Sequence, residues 1–105
     1  MEIKDFEEWL IHFYNRRGWT DTTNFQKLGF LFEEVGELAQ AIRLYEIRKD
    51  LPDSIPNDRH RIQENLYEEL GDLLANVIII ANNYNISLDE LINKHKHKLL
   101  KRFGS

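Results

Sequence analysis

EEVGELAQAI, residues 33–42, and EELGDLLANV, residues 68–77, carry one pattern twice. Each opens with two acids, followed by a branched apolar residue, a glycine, a third acid and a leucine. Residues three apart share a helix face, so Glu34 pairs with Glu37 and Glu69 with Asp72. Extended in both directions, the first face reads Phe30, Glu34, Glu37, Ala41, Leu44 and the second Ile62, Glu69, Asp72, Asn76, Ile79. The acids therefore sit inside stripes that are otherwise mostly apolar. Ordinary surface glutamates, such as Glu46 and Glu64, belong opposite the apolar face.

Outward from these motifs the chain reads as four helices. Ile3, Phe6, Trp9, Leu10 and Phe13 recur at three- and four-residue steps and predict an amphipathic helix ending near Arg16–Gly18. RGWTDTT is a loop, and Thr23 with Gln26 forms a capping box. The second helix places Leu28, Leu31, Phe32, Val35, Leu38, Ala39 and Ile42 on one face and stops before Pro52. DLPDSIPND, residues 50–58, is a loop. The third helix carries Ile62, Leu66, Leu70, Leu73, Val77 and Ile80 and ends at the NNYN turn. Ser87 with Glu90 predicts a second capping box, opening a fourth helix through Leu88, Leu91, Ile92, Leu99 and Phe103. No strand alternation is present. The expected fold is all-α, a four-helix bundle-like protomer with antiparallel neighbours, in one domain over residues 1–105.

Composition bounds the function. The chain has 105 residues, 42% hydrophobic and 30% charged, and a net charge of −4. A general nucleic-acid binder would carry a basic excess instead. With no cysteine, disulfides, thiolate metal sites and cysteine nucleophiles are excluded. MEIKDFEEW is too acidic for a signal peptide, and the apolar run from Leu73 to Ala81 is too short to span a bilayer. No membrane or nucleic-acid partner is expected, and the expected location is cytoplasmic. A small core of this size is often completed by oligomerisation.

Charge is segregated. Acids crowd residues 33–37 and 64–72, and KHKHKLLKR, residues 94–102, is basic. One acidic and one basic zone suit an anionic, metal-bound ligand. Two solvated faces would give the same pattern.

If the second and third helices pack antiparallel, four carboxylates converge. Two like charges ~4 Å apart repel by roughly 4 kcal/mol at an effective dielectric of 20. Such a cluster calls for protons or a cation. Hard oxygen donors without histidine or cysteine point to Mg²⁺, with Mn²⁺ as a substitute. Mg²⁺ usually takes one or two carboxylates, so four suggest more than one ion. Gly36 and Gly71 each cost about 1 kcal/mol relative to alanine in a helix interior. That cost is explained if another backbone or a bulky ligand comes close beside each acid pair.

Asn76 lies one turn past Asp72, inside the nearly all-apolar LLANVIIIA. It fits either a substrate ligand or a helix-to-helix hydrogen bond within the core. Lys98 and Arg102 are four apart and share a face. Cations there suit phosphate, although cations favour any helix C-terminus. His95 and His97, two apart, cannot face one metal from a helix. These two, with His12 and His60, read as surface residues.

EEVGEL at 33–38, EELGDLL at 68–74 and HKLLKRF at 97–103 together resemble the MazG-type nucleoside triphosphate pyrophosphohydrolases, a branch of the all-α NTP pyrophosphatases. Nearly the whole chain is covered. The family's ExxE and ExxD match Glu34-x-x-Glu37 and Glu69-x-x-Asp72. The resemblance implies hydrolysis of NTPs or dNTPs between the α- and β-phosphates, to NMP and pyrophosphate. It implies Mg²⁺ on the four acids and phosphate contacts from Lys98 and Arg102. It also implies a homodimer or homotetramer with sites near subunit interfaces. Water would be the nucleophile, activated by a nearby acid, with Glu33, Glu34, Glu37 and Glu68 all candidates. Some relatives carry asparagine where this chain has Lys96, and the DLPDSIPND loop is long for the family. Trp19 is a candidate for stacking on the base. A loop anchor is the other role open to it. Two alternatives stand beside this reading. One is a pyrophosphohydrolase of a special nucleotide, such as phosphoribosyl-ATP, dCTP or dUTP. The other is a non-catalytic helical dimer binding a nucleotide or a protein, which would have no need of four mutually repelling acids.

Overall fold

The computed structural model describes residues 1–49 and 58–104, and the DLPDSIPND reading falls almost wholly outside them. Four helices follow in order: α1 (Ile3–Arg16), α2 (Asn24–Arg48), α3 (Asp58–Asn83) and α4 (Leu88–Phe103). No strand occurs among the described residues. The fold is all-α, as the periodicity predicts.

Each helix end has a local cause. Thr23 accepts from the Gln26 N–H at 3.1 Å while the Gln26 side chain accepts from the Thr23 N–H at 2.9 Å, so the predicted capping box opens α2. Ser87 accepts from the Glu90 N–H at 3.2 Å. Of the predicted box, the Ser87 arm is present, and separately the first N–H of α4 is taken by a distant carboxylate, described below. Two helices close with Schellman geometry. After α1 the Trp19 N–H reaches Tyr14 O at 3.0 Å and the Gly18 N–H reaches Asn15 O at 3.1 Å. The turn needs a left-handed residue, which Gly18 supplies at φ 70°. After α3 the NNYN segment repeats the design, with Ile86 N–H on Ala81 O at 2.9 Å and Asn85 at φ 60°.

The chain divides into two compact units, Met1–Thr22 with Ile78–Ser105, and Thr23–Val77. In the first, α1 packs on α4, and the core is Leu10, Ile78, Ile79, Ala81 and Leu88. Phe6, Trp9 and Phe13 form a stacked ladder along α1, with centroids 6.1 and 4.9 Å apart. In the second unit α2 and α3 run side by side. Tyr45 of α2 lines a groove with Gln63, Leu66, Tyr67 and Leu70 of α3, whereas the earlier Glu34 and Glu37 meet the later Glu69 and Asp72. That crossing of order makes the pair antiparallel. Ala41 and Ile62 are its buried apolar residues.

The predicted apolar face of α2 splits. Leu31 and Leu38 are half-buried, but Leu28, Phe32, Val35 and Ile42 are exposed within this chain. With Phe25 they form a row at steps of three, four, three and seven, the heptad spacing of a helix-pairing seam. Phe25 is 86% exposed and Phe32 69%. The expected core of α4 is thinner still. Leu88 is buried, while Leu91, Ile92, Leu99 and Phe103 are exposed.

Candidate metal centre

Antiparallel pairing of α2 with α3 brings the two acid motifs together. Glu34, Glu37, Glu69 and Asp72 each offer one carboxylate oxygen, and these four atoms lie within 4.8 Å of one another. Glu34 and Glu69 are half-buried, and Glu37 and Asp72 are exposed. The inner pair is short of partners: Oε2 of Glu34 and Oε2 of Glu69 are buried without a hydrogen bond. A buried polar oxygen left unmatched is costly, and two of them belong to acids of one cluster, an arrangement that a cation or protons would relieve.

The protonation equilibria agree. Burial pushes the Glu34 carboxyl above the usual carboxylate range, and repulsion from Glu37, Asp72 and Glu33 adds to it. Burial likewise raises Glu69, followed by a side-chain hydrogen bond with Glu37 and repulsion from Glu37, Asp72 and Glu34. A hydrogen bond between two carboxyls requires a proton on one of them. The same crowding that favours protons on Glu34 and Glu69 would favour a divalent ion among the four carboxylates. All donors are hard oxygens, which suits Mg²⁺ or Mn²⁺.

The glycine expectation is not met within the chain. A Cβ placed on Gly36 or Gly71 would meet nothing within 4 Å, so among the described residues no other segment's backbone approaches either position. Asn76 makes no helix-to-helix bond through its amide N–H. It donates from Nδ2 to the main-chain oxygen of Asp72 at 3.0 Å, within its own helix. Lys98 and Arg102 are exposed on α4, in the other compact unit from the acids. Trp19 contacts Tyr14, with centroids 5.2 Å apart and planes at 87°, and Phe13, 5.8 Å apart at 71°. The Tyr14 contact is the apolar clasp that accompanies a Schellman turn, yet the ring stays 51% exposed. The Arg17 guanidinium sits 3.7 Å from the Phe13 centroid and 5.6 Å from that of Trp19.

One acid escaped the reading of the sequence. Glu7 is buried and holds the start of α4. Its signal was present: it interrupts the row Ile3, Glu7, Leu10, Tyr14, just as the four acids interrupt theirs.

A helical pair closing four carboxylates around one point, with no soft ligand among them, is an all-α arrangement suited to a divalent cation. The family model of the MazG nucleotide pyrophosphohydrolase domain matches residues 23–103. A Bacillus subtilis (strain 168) protein, the uncharacterized protein YvdC, is 45% identical over 103 residues, covering 98% of this chain and 97% of that one. No solved structure matches. The chain belongs to the MazG nucleotide pyrophosphohydrolase family, which is generally dependent on divalent metals. No helix among the described residues is long and apolar enough to cross a membrane.

Proposed function

We propose that the protein, acting as one domain over residues 1–105, hydrolyses a nucleoside triphosphate between its α- and β-phosphates, giving NMP and pyrophosphate with Mg²⁺ as cofactor. The observation that carries this reading is the convergence of Glu34, Glu37, Glu69 and Asp72 with two buried, unmatched oxygens. These four acids hold the cation, and Mn²⁺ can replace Mg²⁺. When bound, the cation neutralises phosphate charge and makes water easier to deprotonate.

The chain's own residues do the rest. Water adds to phosphorus, the bridging P–O bond between the α- and β-phosphates breaks, and pyrophosphate leaves. The proton of the attacking water passes to a carboxylate of the cluster or of its neighbours Glu33 and Glu68. Lys98 and Arg102 bind the phosphates and offset charge as it moves onto the leaving group. Asn76, one turn past Asp72 and tethered through its amide to the helix, contacts the substrate. Trp19, held edge-on by two rings but half exposed, offers its surface to the base. The working form is a homo-oligomer, a dimer or a tetramer. The uncovered row Phe25, Leu28, Phe32, Val35 and Ile42 on α2 supports this, because its heptad spacing suits a like helix from a second copy.

Product analysis tests the reading. Purified protein with Mg²⁺ and a panel of NTPs and dNTPs should give NMP and pyrophosphate, and Glu69→Gln should abolish both. NDP with phosphate would overturn the assignment of the bond.

A further inference from the structure

Of the two buried ionisable side chains that the mechanism leaves unused, Glu7 and Lys27, Glu7 ties distant segments of the chain together. Glu7 of α1 is 8% exposed, and its Oε2 accepts from the main-chain N–H of Leu88 at 2.7 Å, across 81 positions of sequence. Leu88 is the first residue of α4. The first N–H groups of a helix have no partner within the helix. Ser87 takes the N–H of Glu90, and Glu7 takes that of Leu88. An acid at this end also complements the helix dipole.

Packing alone does not require an acid here. Leu10 and Leu88 are nearly fully buried in the same unit. Apolar contact is non-directional, whereas a hydrogen bond to a named N–H fixes the rotation and tilt of the helix that carries it. The rest of α4 makes this matter, because Leu88 is its one buried residue and residues 91–103 are all exposed within this chain. The helix is gripped at its first turn and extends from there. At about 1.5 Å rise per residue, Arg102 lies roughly 21 Å along α4 from Leu88, so a tilt of about 5° moves it by about 2 Å.

We infer that Glu7 is a positioning residue: through its hydrogen bond to Leu88 it sets the direction in which α4 presents Lys98 and Arg102 to the substrate's phosphates. This rests on the proposal that those two cations bind phosphate. The test must therefore separate the two ideas.

The probe is inorganic tripolyphosphate with Mg²⁺, which carries the phosphates without a base, titrated calorimetrically well below the melting temperature. Glu7→Gln keeps an oxygen that can accept from Leu88. Glu7→Asp keeps the charge but is one methylene too short, and Glu7→Ala removes both. Glu7→Ala and Glu7→Asp should bind about tenfold more weakly, because ångström-scale misplacement of binding groups is expensive, while Glu7→Gln stays within about twofold. Lys98→Ala should weaken binding in the native background and cost less on top of Glu7→Ala, because the cation is already misplaced. The Mg²⁺-induced thermal shift without tripolyphosphate should survive in Glu7→Ala.

If Lys98→Ala weakens binding while Glu7→Ala and Glu7→Asp bind like the native protein, or if the losses simply add, positioning by Glu7 is overturned and the phosphate role stands. If Lys98→Ala and Arg102→Ala both bind natively, the phosphate role fails and the inference falls with it. Should Glu7→Ala not fold, Glu7→Asp against Glu7→Gln decides the matter, and equal affinities overturn it.

Discussion

Glu7 and Glu69 are both acids set into apolar stripes, and they meet opposite circumstances. Glu7 is buried and matched, its Oε2 2.7 Å from the N–H of Leu88. Glu69 is half-buried, with one oxygen unmatched and three further carboxylates beside it. A matched acid holds a structure in place. An unmatched one, raised in pKa by burial and by its neighbours, stores a deficit that a ligand can relieve. Glu34 shares that deficit. Within this small chain, burial alone does not distinguish Glu7 from Glu34 and Glu69, but the unmatched oxygens of the latter two do.

The largest expected effect breaks the cluster. Glu69→Gln should lower Mg²⁺-dependent turnover by on the order of 100-fold or more, the scale of losing one preorganised group that stabilises charge. Steady-state kinetics on the substrate found by product analysis checks this. Native turnover in Glu69→Gln would place the chemistry elsewhere.

Next comes a contrast in sign. Glu7→Ala strands a buried N–H and should destabilise the fold by about 1–3 kcal/mol. In chelator, Glu34→Gln combined with Glu69→Gln should raise the melting temperature instead, because it removes repulsion and desolvated charge. Thermal melts of both variants read the two signs side by side. If the double variant melts below the native protein, the cluster was not strained.

The third effect is pH dependence without metal. The folded-state pKa values of Glu34 and Glu69 are raised above the ordinary 4.5, so the folded state holds protons that the unfolded chain releases. Their contribution to stability is complete below about 4.5 and is lost as pH climbs through the raised values. Melting temperature in chelator should therefore fall across that window, and saturating Mg²⁺ should offset most of the fall by binding the folded state. An unchanged slope with Mg²⁺ would show that the ion does not displace those protons.

The smallest effect concerns the glycines. Among the described residues, a Cβ added at Gly36 or Gly71 meets open space. Gly36→Ala and Gly71→Ala should each gain up to about 1 kcal/mol of helix stability, read from thermal melts. A loss would mean that a partner's backbone or a ligand comes close there.

Helix positions, the Thr23–Gln26 box and the turns after α1 and α3 were legible because they depend on residues a few positions apart. So was the sharing of a face by each acid pair, which follows from helix geometry alone. The acceptor for the Leu88 N–H was not, because it is Glu7, 81 positions away. Nor was the division of the α2 stripe, with Leu31 and Leu38 half-buried and Leu28, Phe32, Val35, Ala39 and Ile42 exposed, since periodicity marks apolar residues without saying what will cover them.

The sequence by itself therefore determined four helices, their ends and two acid pairs, all through interactions within about a turn. Only the tertiary structure decided which acids found a partner. Whether a buried oxygen meets an N–H or another carboxylate depends on what distant segments bring to it. Glu7 met the open end of α4, and Glu34 and Glu69 met more acids, which leaves one oxygen of each buried and unmatched.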